Sequence, residues 1–384
     1  MTALLHFILQ GWSWFFTGVM VFYLLLMILL CLSWVRMKRH RAIRNPDVRV
    51  SVIIPARNEE GHILACLQSL SEQDYPSDLL QIVLVDDDSD DQTPEIIAEF
   101  IRQHSEMNIR LLRLEHDASV KAHKKRALTQ GIAHSDGELI LTTDADCMAG
   151  PEWIRAMASF YQATKPALII GPVAFHKEHG LFGRMQSLEY AGLMMVSGAS
   201  AALKNPLLCS GANLAYPRLV FDAVMGYSGD DEPSGDDVLL MQRVQKMYPD
   251  GIRFLKSEKA IVWTSPQENV MAFISQRRRW SSKLKRYRPG AITATAILVF
   301  LCNALMLTGA LVCLIHPAFV RLYLILAGGK LIIDFLFLFL GISFLHRKAL
   351  IWVYLPEQIV YSFYVVVSVC LGFKKGYSWK GRKV

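Results

Sequence analysis

The first 35 residues carry no Asp, Glu, Lys or Arg, and residues 12–35 form an apolar run. That run exceeds the roughly 20 residues that cross a bilayer core, so this part of the chain is expected in a membrane. A cleaved signal peptide carries its cations ahead of the apolar run. Here Arg36, Lys38, Arg39, Arg41 and Arg44 follow it, and no small-residue cleavage site is obvious. The run reads as a retained anchor whose C-terminal end lies in the cytoplasm.

Three more apolar blocks follow near the other end, at 289–315, 322–345 and 349–373. Lys330 and Asp334 interrupt the second, and Pro356 and Glu357 lie near the start of the third. Spaced i, i+4, Lys330 and Asp334 can pair on one helix face, which must look at protein or a water-filled cavity rather than lipid. Such a pair either ties helices together or lines an acceptor passage. With the middle of the chain cytoplasmic, three full crossings after it leave the C-terminus outside. Yet the tail cations Lys374, Lys375, Lys380, Arg382 and Lys383 favour the inside. One block is therefore expected to be re-entrant or interfacial, or the charge rule is broken here.

Charged residues make up only 20% of the chain and hydrophobic ones 52%, which excludes a disordered protein. The seven cysteines form no C-x-x-C pair, the usage of a reducing compartment in which cysteine acts as a small hydrophobe. A net charge of +7 raises the possibility of a nucleic-acid binder. The cations concentrate beside the apolar blocks instead, so no nucleic-acid partner is expected.

The blocks divide the chain into an anchor with a basic flank (1–44), a soluble-looking middle (45–288) and a second membrane region of two to three spans with a basic tail (289–384). In the middle, short β-rich runs at 50–54, 82–85, 109–114 and 139–142 alternate with helical patterns at 59–72, 94–104 and 124–133. That alternation, with continuous apolar strands, predicts an α/β fold with a parallel sheet covered on both faces. Ligands in such sheets bind beyond the carboxyl ends of the strands.

Five polar clusters carry chemistry. In the first, Ser51 to Glu60, a β-run stops at Pro55 and a polar turn with Asn58 and Glu59 opens a helix; Asn58 is a candidate helix cap. The second packs Asp86, Asp87, Asp88, Asp90 and Asp91 into one strand end, where carboxylates repel unless something binds them. In the third, Asp144 and Asp146 flank one small residue after an apolar strand, and both can reach a hard divalent cation such as Mg²⁺ or Mn²⁺. The fourth is Gly235-Asp236-Asp237 at a helix start, where acids either suit the macrodipole or supply a base for a hydroxyl proton. The fifth is Gln276-Arg277-Arg278-Arg279-Trp280, heading a cationic stretch to Arg288 that serves either anionic lipid or a diphosphate.

In this order the clusters resemble the membrane-bound family 2 glycosyltransferases, whose catalytic domain has the GT-A (Rossmann-like) fold. The resemblance covers about residues 48–290 and extends to flanking membrane helices. It implies that the turn at Pro55, Ala56, Asn58 and Glu59, with Asp87, holds the base and ribose of a nucleotide-sugar. It implies Lys124 as a diphosphate ligand, Asp144 and Asp146 as the D-x-D metal pair, and Asp237 as the base. Gln276, Arg279 and Trp280 match its Q-x-x-R-W motif. The chain departs from the pattern at Asp88, where Gly or Asn is usual, at Asp236 in place of Glu, and at Thr129 in place of Asn.

The function expected is inverting transfer of a sugar, from a nucleotide-sugar with the family preference for UDP, to a hydroxyl of a membrane lipid. The setting expected is the bilayer of the inner (cytoplasmic) membrane, with the catalytic domain in the cytoplasm. The competing readings are a processive polysaccharide synthase of the same family and a non-catalytic sugar-binding membrane protein or transporter. Few membrane blocks are available to build a pore, and this favours the lipid acceptor. Residues 180–202 are expected either at the membrane interface near that acceptor or in a buried core.

Overall fold

The computed structural model describes residues 2–43, 46–117, 119–229, 232, 235–282, 290–372, 378–379 and 382–383. The expected cations at 283–288 and most of the basic tail lie outside the described residues. The chain forms two units. One comprises Met37–Glu178, Val196–Pro266 and Gly376–Val384; the other comprises Met1–Arg36, His179–Met195 and Gln267–Lys375.

After helix α1 (Thr2–Arg36), the chain lays down β1 (Val50–Ala56), α2 (Ile63–Ser71), β2 (Leu80–Asp86), α3 (Thr93–Gln103), β3 (Ile109–Arg113), α4 (His123–Ala133) and β4 (Leu139–Thr142). Next come β5 (Met148–Ala149), α5 (Trp153–Thr164), β6 (Leu168–Ile170), β7 (Val173–Phe175) and α6 (Gly180–Ala202). Then follow β8 (Leu214–Pro217), α7 (Arg218–Ala223), α8 (Asp236–Met247), β9 (Ile252–Phe254) and β10 (Val262–Thr264). The last helices are α9 (Val270–Ser282), α10 (Ala291–Ile315), α11 (Val320–Phe344) and α12 (Tyr354–Gly372).

The first unit is built on a sheet ordered β3-β2-β1-β4-β8-β6-β9. Strands β2 and β4 are buried along their whole length and β1 nearly so, as their unbroken Val/Ile/Leu runs require when helices cover both faces. The pairs β1–β2, β1–β4, β2–β3 and β6–β9 are parallel. The expectation of a parallel sheet fails at β8, which pairs antiparallel with both β4 and β6. A second sheet, β5-β10-β7, sits beyond it.

Asn213 fastens this region. It is fully buried, its Oδ1 accepts from Trp153 Nε1 (2.9 Å), and its Nδ2 donates to the carbonyls of Pro172 (2.7 Å) and Ala260 (2.8 Å). A buried amide with all of these bonds made avoids the desolvation penalty of an unpaired one, and it fixes three loops at once.

In the other unit, four helices among the described residues are long and apolar enough to cross a membrane: Leu9–Arg36, Ala291–Ile315, Pro317–Phe344 and Lys348–Leu371. Lys330 and Asp334 pair at 2.6 Å and are buried. Tyr23 of α1 donates to Asp334 (2.7 Å), and Lys330 donates to Gln358 of α12 (3.3 Å). The pair therefore ties α1, α11 and α12 together, meeting the requirement that an intramembrane charge face protein. The segment 180–202 is mostly buried: Leu188, Ala191 and Met195 are fully covered, and Met195 lies against Gly341 of α11. This is core packing, and it corrects the alternative of a segment lying along the interface.

Candidate active site

The turns after β1 and β2 lock to each other. Arg57 is buried; its Nη1 donates to the Asp87 carbonyl (2.7 Å) and its Nη2 to Asp90 Oδ2 (3.0 Å). The Asn58 N–H donates to Ser89 Oγ (3.1 Å), and Asn58 Oδ1 accepts from the Asp90 N–H (2.9 Å). Glu59 N–H reaches Thr93 Oγ1 (2.7 Å) and Glu60 N–H reaches Asp91 Oδ2 (3.1 Å). The repulsion expected among these carboxylates is thus answered largely by the protein itself. Asn58 is not a helix cap, because α2 starts only at Ile63 and is preceded by His62.

Asp88 has φ 59°, the left-handed region that Gly and Asn enter readily. Asp is tolerated there for the same local reason, and its carboxylate meets His116 Nδ1 (3.2 Å) and Arg57 (3.4 Å). Asp87 is buried with His123 Nδ1 at 3.7 Å. Pro55 and Ala56 end β1 in parallel register with Val85 and Asp86, and the Ala56 carbonyl accepts from Asp87 N–H (2.9 Å). The first and second clusters therefore form one continuous ledge at the carboxyl edge of the sheet.

Beside it, Lys124 in the first turn of α4 joins two further clusters. Its Nζ lies 2.7 Å from Asp144 Oδ1 and 3.3 Å from Asp236 Oδ2. Burial pulls this ammonium down, but Asp144 and Asp236 together outweigh it and hold Lys124 above the ordinary lysine range. Gly211 makes the approach possible: a Cβ there would stand 3.1 Å from Asp236 Oδ2 and 3.4 Å from Lys124 Nζ. Asp236 and Asp237 open α8 after Gly235, whose φ is 85°. Asp236 is buried against Lys124, whereas Asp237 is half-buried and its Oδ1 accepts the Val238 N–H (2.8 Å).

Asp146 is oriented by Thr264 Oγ1 of β10 (3.4 Å). Ligand atoms of Asp144, Asp146 and Cys147 lie within 4.8 Å of one another. Two half-exposed carboxylates at a sheet edge are the oxygen donors a hard divalent cation takes, so the donor set fits Mg²⁺ or Mn²⁺. The Cys147 thiol is buried, and burial, Asp146 and Asp144 push it far above the ordinary range, so it stays protonated behind the carboxylates.

The fifth cluster belongs to the unit with the membrane helices. Gln276, Arg279 and Trp280 are half-buried on α9, and the buried residue of the motif is Arg277, which the sequence reading did not single out. Its Nη2 meets Glu189 Oε2 (2.5 Å), its Nε donates to Tyr364 (2.8 Å) and its Nη1 donates to Gln276 Oε1 (2.9 Å). Its guanidinium lies over the rings of Trp280 (4.2 Å) and Phe273 (4.5 Å). Arg277 therefore holds Gln276 and Trp280 in place. The signal that could have found it is Glu189, a lone carboxylate in the otherwise acid-free stretch 180–202. Arg57 likewise stood as a lone cation opposite an acidic turn.

The sequence matches two family models, glycosyl transferase family 2 over residues 51–225 and glycosyl transferase family group 2 over residues 139–366. A beta-monoglucosyldiacylglycerol synthase of Synechocystis sp. (strain ATCC 27184 / PCC 6803 / Kazusa) is 26% identical over 249 residues, 62% of this chain and 48% of that protein. A poly-beta-1,6-N-acetyl-D-glucosamine synthase of Staphylococcus epidermidis is 23% identical over 234 residues, 60% of this chain and 53% of that protein. The chain thus spans about half the length of these curated relatives. Among solved structures, the mannosyltransferase PcManGT of Pyrobaculum calidifontis, in complex with GDP-Man and Mn²⁺, aligns with a TM-score of 0.59 at 19% identity. That alignment covers 91% of this chain and 97% of the other, and it identifies the fold as GT-A.

Proposed function

We propose that this chain, which belongs to glycosyl transferase family group 2, moves a sugar from a nucleotide-sugar to a hydroxyl of a membrane lipid in one inverting displacement. The observation that carries this reading is the meeting of Lys124, Asp144 and Asp236 beside Gly211 at the start of α8. A fixed cation, a carboxylate pair and a helix-start carboxylate in one place are the parts that transfer from a diphosphate needs.

In this reading the ledge of Pro55, Ala56, Asn58, Glu59 and Asp87 holds the nucleoside, a uridine by the family's preference. Lys124 takes the diphosphate. Asp144 and Asp146 hold Mg²⁺ or Mn²⁺, which when bound neutralises diphosphate charge and eases departure of the nucleotide. Asp237, the carboxylate not occupied by Lys124, accepts the proton of the attacking hydroxyl. Asp236 keeps Lys124 aimed into the site. Gln276 and Trp280 are held by Arg277 within the unit that carries the membrane helices. The unit that holds the donor ligands and the base, built from 37–178 and 196–266, faces the cytoplasm from the inner membrane, because cations flank the apolar segment on that side.

Two features support a lipid acceptor. Two of the charges inside the spans, Lys330 and Asp334, are taken up by a helix–helix tie rather than left to line a channel. The chain is also similar to a glucosyldiacylglycerol synthase. The polymer synthase in the same set of relatives supplies the opposing outcome of the test. In phosphatidylcholine nanodiscs, nucleotide release from UDP-sugars or GDP-mannose should require added dioleoylglycerol or another hydroxyl lipid. Release that needs no acceptor lipid and yields a long soluble polymer would overturn the proposal.

A further inference from the structure

Within the unit that holds the membrane helices, a polar seam runs from one buried charge cluster to another. Asp334 and Lys330 lie at one end, with the Lys330 Nζ 5.6 Å from the Tyr361 ring centre. Tyr361 and Tyr364 are 6.0 Å apart, centre to centre. The Tyr364 hydroxyl donates to Glu189 Oε1 (2.8 Å) and accepts from Arg277 Nε (2.8 Å) at the other end. Glu357, in the first turn of α12, is 5% exposed and close enough to interact with Glu189, Asp334 and Lys330. Its Oε2 has no hydrogen-bond partner. A buried carboxylate oxygen left unpaired is costly, and it is satisfied by a bound hydroxyl group, of a ligand or of water.

The charges define that ligand. Arg277 is matched by Glu189 and Lys330 by Asp334, so neither of these cations is left over for an anionic headgroup. A phosphate placed there would find both of these cations already committed to carboxylates. A neutral hydroxyl would donate to Oε2 and lay its carbon frame against the Tyr361 and Tyr364 rings. Trp352, just ahead of α12, is 84% exposed, as expected of a ring anchoring at the headgroup level.

We infer that Glu357 and this seam form a binding site for an uncharged, hydroxyl-bearing lipid headgroup, and that this excludes lipid phosphates as the preferred acceptors. The inference rests on the lipid-acceptor reading above but is tested without turnover. Full-length protein in detergent is offered 1,2-dioleoylglycerol or 1,2-dioleoyl phosphatidic acid, and bound lipid is counted by native mass spectrometry. Wild type should retain the glycerol lipid in preference to the phosphatidic acid. Glu357→Leu should lower its retention about fivefold, the value of one hydrogen bond, while UDP retention is unchanged. Glu357→Gln keeps an accepting oxygen and should restore most of it. Equal retention by Glu357→Leu and wild type, or a wild-type preference for the phosphatidic acid, would overturn the site. This binding pattern without any sugar transfer would support the site and count against the function proposed above.

Discussion

Asp236 and Asp237 are neighbours in sequence with the same side chain, yet the fold gives them different work. Asp236 is buried beside Lys124, and Asp237 keeps a half-exposed carboxylate at the start of α8. Asp237→Asn should therefore lower kcat on the order of 10² or more and leave nucleotide-sugar binding nearly unchanged. Asp236→Asn, which frees Lys124, should act mainly through a weaker KM for the donor. The opposite pattern in steady-state kinetics would reassign the base. Asp146→Asn should weaken Mn²⁺ binding about tenfold or more, read by calorimetry on the nucleotide-loaded protein; unchanged affinity would remove the metal pair. Asp144 and Asp146 were legible because they sit in a short polar break after an apolar strand, Asp236 and Asp237 as paired acids at a helix start, and Lys124 only through the family resemblance. Their convergence was not legible, since Lys124, Asp144, Gly211 and Asp236 are far apart in sequence and only the sheet order brings them together. Gly211 carried no signal of its own, because its role is the absence of a Cβ.

At the scale of elements, the apolar runs 82–85 and 139–142 and the helical patterns were read within a few residues. The direction of β8 was not. Leu-Ala-Tyr-Pro fits a buried strand of either sense, and its antiparallel pairing is imposed by the Asn213 hub and the turn before it. That hub predicts a sensitive site: a Cβ at Gly171 would stand 2.3 Å from the Asn213 side chain. Gly171→Ala should destabilise the protein by about 1–3 kcal/mol, seen as a lower melting temperature. A melting point equal to wild type would mean that Asn213 can move aside. On α9, Arg277→Met should cost about 3 kcal/mol, because it leaves the Glu189 carboxylate, only 12% exposed, with Tyr364 as its remaining donor. The double change Arg277→Met with Glu189→Leu should recover part of that loss, since it removes both charges. Additive losses would show that the pair carries little coupling. The motif reading chose Gln276, Arg279 and Trp280 by spacing alone; burial is what distinguishes Arg277, and burial depends on Glu189 and Tyr364 arriving from elsewhere in the chain.

For the molecule as a whole, four helices suited to a membrane accompany a GT-A unit whose carboxylates and Lys124 cluster at one sheet edge. The membrane character was the plainest feature of the sequence, because unpaired charge is excluded from hydrocarbon and its absence from residues 1–35 is visible without a structure. The use made of the internal charges was not visible, as i, i+4 spacing fits a helix tie and a passage wall equally. Here the tie accounts for Lys330 and Asp334, leaving Glu357 as the carboxylate with an unpaired oxygen. The proposed function is delivery of sugar to a lipid hydroxyl. The most direct measurement reconstitutes the purified chain in liposomes containing dioleoylglycerol, supplies radiolabelled nucleotide-sugar with Mn²⁺, and partitions the product between organic and aqueous phases. Label should appear in the organic phase on a lipid carrying one or very few sugars, and be lost with EDTA and with Asp237→Asn. Label mainly in a water-soluble polymer would contradict it.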